Sequence, residues 1–201
     1  RSCTGSGKTL IAALIIAKVN KPSIVYVIGK DLLWQFHRFF TDIFQTEIGV
    51  IGDGVCKIKD ITIASIWSVS KAFGMGKVKN LDDEGSDDEK DISESDYSNI
   101  VNFVTRAELN ILDECHLAAS ETVQRIGANF TGEYVIGMSA SPYRDDNADL
   151  LIEAIFGKVI VDISASSLIT DGFLVQPIIR FLNTPKYKFG SPGKTYKEIY
   201  K

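Results

Sequence analysis

Cysteine and histidine are scarce in this sequence. Its 201 residues include three cysteines and two histidines, namely Cys3, Cys56, Cys115, His37 and His116. No two of the cysteines form a CxxC pair, so neither a disulfide framework nor a zinc site is expected. The sequence instead favours free thiols in a reducing intracellular compartment, the cytoplasm or, for a viral protein, the host cytoplasm.

Long apolar runs are also lacking. No run reaches the ~18 residues that a membrane-spanning helix needs, and residues 1–20 do not have the pattern of a signal peptide. We therefore expect no membrane partner. Hydrophobic residues make up 45% and charged residues 24% of the chain, values typical of one globular domain, or one domain with a tail.

The formal net charge of −4 is the sum of two parts of the chain with opposite net charge. Residues 82–96, DDEGSDDEKDISESD, hold nine acidic residues and one basic residue, which leaves 21 basic and 17 acidic residues elsewhere. So polar a run buries too little apolar area to offset its ordering entropy, and we expect a solvated, mobile, disordered insert. The alternative is a regulatory role as a polyanion mimic over a basic groove.

The rest of the chain alternates between short β-branched runs and longer helical patterns. Buried-strand patterns cover residues 23–28, 48–51, 60–66, 108–112, 134–138, 158–162 and 174–182. Helical patterns cover residues 9–19, 32–44 (with Asp31 as N-cap), 67–73, 97–106, 119–128, 148–156 and 164–170. This alternation predicts an α/β fold with a mostly parallel sheet and helices on both faces, and ligands at the carboxyl ends of the strands.

Residues 2–9, SCTGSGKT, match the phosphate-binding loop pattern, with a serine where the first glycine is commonest. Gly5 and Gly7 allow φ > 0, so successive N–H groups can point inward as an anion nest at the positive end of the following helix. Lys8 would then place a cation on the β and γ phosphates, and the Thr9 hydroxyl would ligate Mg²⁺. The alternative is a glycine-rich turn with a surface lysine.

Residues 111–116, ILDECH, place two acids at the end of an apolar strand. Acids so close to a core are costly unless a cation lies beside them, and a Mg²⁺–nucleotide complex supplies one. Asp113 can hold the metal, and Glu114 can orient and deprotonate the attacking water. The alternative is a strand that simply runs into a charged turn.

A third motif, Ser-Ala-Ser at 139–141, directly follows an apolar strand. Small hydroxyl side chains at that position can bridge the acid pair to a neighbouring surface. The motif is weak on its own, because the same tripeptide is common in turns.

The order and spacing of GSGKT, DECH and SAS resemble those of the first motor domain of superfamily 2 helicases. VIGKDLLWQFHRF and DITIASIWSV resemble the motif Ia and Ib regions of that family. SASPYRDD followed by LLIEAIFGKVI is similar to DNA translocases related to restriction-enzyme motors and to phage and archaeal repair helicases. The resemblance covers nearly the whole chain and implies a P-loop, RecA-like α/β domain.

The resemblance implies a role for each matching residue. Those binding the ATP phosphates would be Thr4, Gly5, Ser6, Gly7, Lys8 and Thr9, with Thr9 and Asp113 on Mg²⁺ and with Lys8 and Glu114 catalytic. Those coupling nucleotide state to strand movement would be His116, Ser139 and Ser141. Those contacting or supporting the nucleic-acid backbone would be Lys30, Gln35, Ser65 and Ser68, although Lys30 is equally open to being a solvated lysine. The role of Arg144 stays open, with a structural ion pair as one alternative.

The same resemblance implies a domain organisation. Residues 1–172 would form the first RecA-like motor domain, without most of the strand that precedes the phosphate loop. Residues 173–201 would be the exit strand and linker toward a second motor domain that carries arginine fingers. We therefore expect a fragment that alone binds nucleotide weakly and hydrolyses it slowly.

The function that the resemblance implies is ATP-driven helicase or translocase activity, with DNA favoured over RNA as the partner. Three alternatives stay open: a motor subunit of a restriction-type nuclease complex, a nucleotide-gated DNA-binding module without unwinding, and an unrelated P-loop ATPase.

Overall fold

A computed structural model describes residues 1–75, 90–141 and 149–182 of the chain. The strands are β1 Ser23–Val27, β2 Gly49–Gly52, β3 Val55–Lys57, β4 Ile61–Ser65, β5 Leu109–Asp113 and β6 Tyr134–Met138. The α-helices are α1 Lys8–Val19, α2 Lys30–Phe44, α3 Ile66–Ala72, α4 Tyr97–Arg106, α5 Glu121–Gly127, α6 Asp149–Phe156 and α7 Ala165–Thr170. Two short 3-10 helices, Glu94–Asp96 and Cys115–Ala119, precede α4 and α5. The α/β fold is confirmed.

The six strands form one sheet in the order β3-β2-β4-β1-β5-β6. Every pair is parallel except β2 with β3, which form an antiparallel hairpin. Val27 at the end of β1 aligns with Ser65 at the end of β4, and Asp113 at the end of β5 aligns with Met138 at the end of β6. The carboxyl ends of four strands therefore meet at one edge of the sheet.

Each face of the sheet is covered by helices, because successive strand side chains point to opposite faces. Val25 and Val27 of β1 pack with buried residues of α1 and α2. Ile24 and Tyr26 of the same strand pack with residues of α3, α4, α5 and α6 on the other face. The apolar run SIVYV is buried throughout, as expected for a strand covered on both sides.

Two local features differ from the sequence prediction. The N-cap of α2 is Gly29, at φ 77°, and Asp31 lies in the first helical turn, so the prediction of Asp31 as cap is wrong. The carbonyl of Gly29 accepts the N–H of Leu33 at 3.2 Å and thereby begins the helix. Strand β3 was not predicted, because it is only three residues long and pairs through the turn at Asp53, which adopts φ 49°.

The predicted strands at 158–162 and 174–182 are wrong, since those residues form no regular strand. Apolar side chains within them are solvent-exposed, among them Ile160 at 90% and Phe181 at 93%. A β-branched run becomes a strand only where a neighbouring strand can pair with it. Among the described residues nearby, the backbone pairing is an isolated parallel bridge between Ser2 and Ile163.

The structure describes the second part of the acidic insert. Residues 90–96 lie within the described part of the chain, whereas 82–89 lie outside it, as do Arg144 and residues 183–201. Ile92 is only 5% exposed and packs into the core beside α3 and α4, and Asp91 forms an ion pair with Lys71. Ile92 thus supplies apolar burial that the acids lack, and the expectation of a mobile loop over 82–96 stays a prediction.

Across residues 1–75, 90–141 and 149–182, no helix combines the length and apolar character needed to cross a bilayer.

Candidate functional site

The phosphate-binding loop has the backbone shape that its sequence predicts. Gly5 and Gly7 adopt φ 80° and 81°, a left-handed conformation that glycine takes without strain from a Cβ atom. Gly7 is the N-cap of α1, so the following helix directs its positive end at the loop. The Ser6 N–H donates to the Cys3 carbonyl at 3.2 Å, which closes the turn. The loop thus has the nest geometry that binds anions.

Ser2 joins this loop to the acidic motif. Its N–H donates to the carbonyl of Ser139 at 3.0 Å, directly after β6. Since β6 pairs with β5, whose last residue is Asp113, the loop and the acid pair lie at the same edge of the sheet.

Ser2 also bonds to two other residues of the loop, Ser6 and Lys8, a role that the sequence did not predict for it. Its carbonyl accepts the Lys8 ammonium at 3.4 Å, and its hydroxyl donates to that of Ser6. The signal available in the sequence was its position, where the phosphate-loop pattern most often has glycine. A serine there keeps the close backbone approach and adds a hydroxyl.

Asp113 is a buried carboxylate with an unsatisfied oxygen. Its side chain is 8% exposed, and its Oδ1 atom is buried without a hydrogen-bond partner. Burial raises the pKa of Asp113, the neighbouring Glu114 carboxylate raises it further, and Lys8 opposes both. A buried acceptor left unpaired costs free energy, so this oxygen indicates a missing ligand.

The residues around Asp113 fit magnesium. Within the described residues, no group of three or more His, Cys, Asp or Glu side chains converges as a metal cluster. Mg²⁺ needs no such cluster, because it is commonly held by one or two carboxylates together with waters and substrate phosphates. The unpaired Asp113 oxygen and the Thr9 hydroxyl, on the first turn of α1, provide oxygen donors of the kind that it prefers.

Glu114 has a strained backbone and a hydrogen-bonded side chain. Its φ of 54° is unusual for a residue other than glycine and is typical of functional sites. Its Oε2 atom lies 3.2 Å from His116 Nδ1 and accepts the Ser139 hydroxyl at 3.4 Å. His116 Nδ1 lies 3.3 Å from the same hydroxyl, which also accepts the Ser141 N–H at 3.2 Å. The structure therefore brings together all four of these predicted site residues.

The four residues predicted to face nucleic acid lie farther along the same edge of the sheet. Lys30 begins α2 directly after β1 and is half-buried, and Gln35 is exposed on that helix. Ser65 and Ser68 are buried at the end of β4 and in α3. Of the two predicted roles for Ser65 and Ser68, their burial fits a supporting role better than direct contact of their hydroxyls with a ligand.

Comparisons with known proteins agree with this architecture. The family model for type III restriction enzyme, res subunit, matches residues 1–144. A candidate helicase of Sulfolobus islandicus filamentous virus is 27% identical, over 86% of this chain and 29% of that protein. The DNA 3'-5' translocase XPB2 of Sulfurisphaera tokodaii is 24% identical, over 82% of this chain and 31% of that protein. The chain thus spans less than a third of the length of these two relatives.

A solved structure supports the fold itself. The chain resembles a hypothetical ATP-dependent RNA helicase from Sulfolobus tokodaii with a TM-score of 0.56 at 18% identity, covering 78% of this chain and 44% of the other. The family match spans the phosphate loop, the DECH motif and the SAS motif together. The chain therefore belongs to the family of type III restriction enzyme res subunits, and it has the RecA-like fold of superfamily 2 helicases.

Proposed function

We propose that this chain is the ATP-binding motor domain of a nucleic-acid helicase or translocase, and that DNA is its partner. The observation that carries the proposal is the backbone hydrogen bond from Ser2 to Ser139. Because Ser139 follows β6, which pairs with β5, this bond places the phosphate loop near the end of β5. One nucleotide can then contact both the loop and the acid pair. The DNA assignment draws on the family description and on the relative named as a DNA translocase.

Binding begins at the loop. The N–H groups around Gly5 and Gly7 and the N-terminus of α1 provide positive partial charge for the phosphates. Lys8 adds a full charge beside them, once a phosphate replaces the Ser2 carbonyl as its partner. Thr9 and Asp113 would hold Mg²⁺, which supplies neutralising charge to the phosphate oxygens when bound.

Hydrolysis depends on Glu114. Its carboxylate, more than a third exposed, can orient a water molecule and accept its proton as the water attacks the terminal phosphorus. The bonds from His116 and Ser139 orient this carboxylate. Because the Ser139 carbonyl also accepts the Ser2 N–H at the start of the loop, Ser139 connects the base to the loop that would contact the phosphates. This network is the route by which nucleotide state would couple to movement.

Nucleic acid would bind along the edge that carries α2. Lys30 and Gln35 would contact phosphates of one strand, with Ser65 and Ser68 as buried support. Phosphate contacts position a protein without reading sequence, as translocation along any sequence requires.

The family description favours a second candidate function, the motor of a restriction-type complex that moves along duplex DNA without separating the strands. Strand-displacement and translocation assays on the same duplex separate the two candidates. Displacement of a labelled strand supports the helicase, and translocation with no displacement supports the restriction-type motor.

The test measures Mg·ATP binding by this chain and ATP turnover by the protein at its natural length, with single-stranded DNA, duplex DNA and RNA at one salt concentration. We expect DNA-stimulated turnover that Lys8→Ala and Glu114→Gln abolish. The matched controls are Lys18→Ala, an exposed lysine at the other end of α1, and Glu121→Gln, an exposed glutamate on α5. Turnover that survives both site substitutions would overturn the proposal.

A further inference from the structure

Residues 163–174, here called the strap, lie against the phosphate loop. The Ile163 N–H donates to the Arg1 carbonyl at 3.0 Å, and the Cys3 N–H donates to the Ile163 carbonyl at 3.3 Å. The start of the loop is therefore bonded on two sides, to Ser139 on one side and to Ile163 on the other. The strap follows directly from this second attachment.

The strap has a defined path after Ile163. Ser164 caps α7 by accepting the Ser167 N–H at 3.0 Å. Beyond the helix, the Leu168 carbonyl accepts both the Phe173 N–H at 2.8 Å and the Leu174 N–H at 3.0 Å. These paired bonds turn the chain back and fix the direction in which Leu174 points.

Leu174 is the covered residue of an otherwise exposed apolar run. Phe173 is 77% exposed and Val175 is 92% exposed, whereas Leu174 between them is half-buried. Its partner is the phosphate loop, since a Cβ atom built on Gly5 would lie 3.1 Å from Leu174 Cδ2. That distance is shorter than an ordinary carbon–carbon contact, so the leucine packs directly on the loop backbone.

We propose that the strap holds the phosphate loop in its nucleotide-binding shape and that Leu174 is the positioning residue. The proposal rests on the function assigned to the loop above. Two glycines give the loop more conformational freedom than other residues would. Packing by Leu174 reduces that freedom before the ligand arrives, and such preorganisation strengthens binding.

A reciprocal effect follows by linkage. If the packed strap improves nucleotide affinity, bound nucleotide stabilises the packed strap by the same factor. Mg·ADP should therefore slow hydrogen exchange at the Phe173 and Leu174 amides, which are bonded to Leu168.

The test compares Leu174→Ala with Val175→Ala, a neighbouring apolar residue that does not carry the contact. We expect Leu174→Ala to weaken Mg·ADP binding about tenfold, equivalent to ~1.4 kcal/mol, and to raise KM for ATP with little change in kcat. Val175→Ala should stay within about twofold of wild type, and Leu174→Met should restore most of the affinity. Equal effects of the two alanine variants would overturn the proposal.

A double-mutant cycle tests the contact between Leu174 and Gly5 directly, on the variants that remain folded. Gly5→Ala alone suffers both the positive φ and the clash with Leu174, whereas in a Leu174→Ala background it suffers only the first. The double variant should therefore bind more tightly than the two single losses predict, and strict additivity would show that the contact is absent.

Mg·ATP binding by wild type and Lys8→Ala, taken together with the comparison of Leu174→Ala and Val175→Ala, tests the proposed function and the strap separately. Wild type that fails to bind Mg·ATP, or that binds it equally well with Lys8→Ala, refutes the proposed function. Lys8-dependent binding with no difference between Leu174→Ala and Val175→Ala refutes the strap alone.

Discussion

Two regions of the molecule shift the pKa of an aspartate in opposite directions. In the strand-end site, formed by Lys8, Asp113, Glu114, His116 and Ser139, the Asp113 carboxylate is buried with one oxygen unpaired, and burial raises its pKa. In the hairpin region, formed by Trp34, Asp53, Lys90 and Ile92, the Asp53 carboxylate accepts Trp34 Nε1–H at 3.0 Å and the Lys90 N–H at 3.4 Å. These bonds, led by that of Trp34, lower the pKa of Asp53.

The contrast shows where the fold gives up stability for function. In the hairpin region, both hydrogen-bond donors stabilise the charged form of the Asp53 carboxylate. Their bonds also connect the β2–β3 turn to α2 and to residue 90. At the strand-end site one oxygen of the Asp113 carboxylate has no hydrogen-bond partner, and burial disfavours its charged form, which is unfavourable until a cation arrives. Such a buried, partly unsatisfied carboxylate is the pattern expected of a ligand site, in agreement with the metal-binding role proposed for Asp113.

Asp113→Asn should have the largest effect on activity and the opposite effect on stability. Turnover should fall about 10³-fold, because metal-held charge stabilisation contributes several kcal/mol. The free energy of unfolding should rise by ~1 kcal/mol, since a buried charge is replaced by a neutral amide. ATPase assays and urea denaturation without nucleotide measure the two effects, and a less stable, fully active variant would remove the contrast.

Ile92→Ala should have the largest effect on stability. Its side chain is 5% exposed in the core, so truncation should cost ~2–4 kcal/mol. Ile160→Ala, at a side chain 90% exposed, is the matched control and should change stability by less than ~0.5 kcal/mol. Nucleotide affinity should stay at the wild-type value in both variants. A loss of affinity in Ile92→Ala at temperatures where it remains folded would show that the two regions are not separate.

Ser139→Ala should reduce kcat about tenfold, or ~1.4 kcal/mol, while the affinity for nucleotide stays nearly unchanged. The hydroxyl that orients the Glu114 carboxylate is lost, but the backbone carbonyl that bonds Ser2 remains. Ser98→Ala, an exposed serine on α4, serves as the control. Steady-state kinetics give kcat, and nucleotide-binding measurements give the affinity. A loss of affinity as large as the loss of kcat would contradict the proposed role of Ser139.

Asp53→Asn should have the smallest effect, a loss of less than ~1 kcal/mol at pH 7 for one half-exposed hydrogen-bonded carboxylate. Because its folded-state pKa is lowered, the stability that it contributes is present above the unfolded-state value of ~3.9 and is lost as the pH falls through the lower folded-state value. Urea titrations should show the wild type and Asp53→Asn diverging at neutral pH and converging in acid. A difference that persists in strong acid would assign the effect to geometry and not to charge.

Local patterns made the strand-end site predictable. The phosphate-loop pattern consists of glycines at fixed spacing, and the acid pair ends a continuous apolar strand. Both motifs can therefore be identified from a few consecutive residues. The alternation of strand and helix patterns along the chain likewise predicted a mostly parallel sheet with ligands at the carboxyl ends of its strands.

Contacts between distant segments could not be predicted in this way. The bond between Trp34 and Asp53, the bond between Ser2 and Ser139, and the packing of Leu174 on Gly5 each depend on how separate elements meet. The wrongly predicted strands at 158–162 and 174–182 fail for the same reason, since composition does not reveal whether a pairing neighbour exists.

The most direct test of the shared pocket is the Mg²⁺ dependence of ATP affinity, measured by calorimetry on wild type, Asp113→Asn and Lys8→Ala. If residues 5–9 and Asp113 contact one ligand, Mg²⁺ should strengthen ATP binding to wild type. Asp113→Asn should lose that gain yet bind metal-free ATP at least as well, because a negative charge near the phosphates is gone. Lys8→Ala should weaken both. An undiminished gain from Mg²⁺ in Asp113→Asn would contradict a pocket shared by the loop and the acid pair.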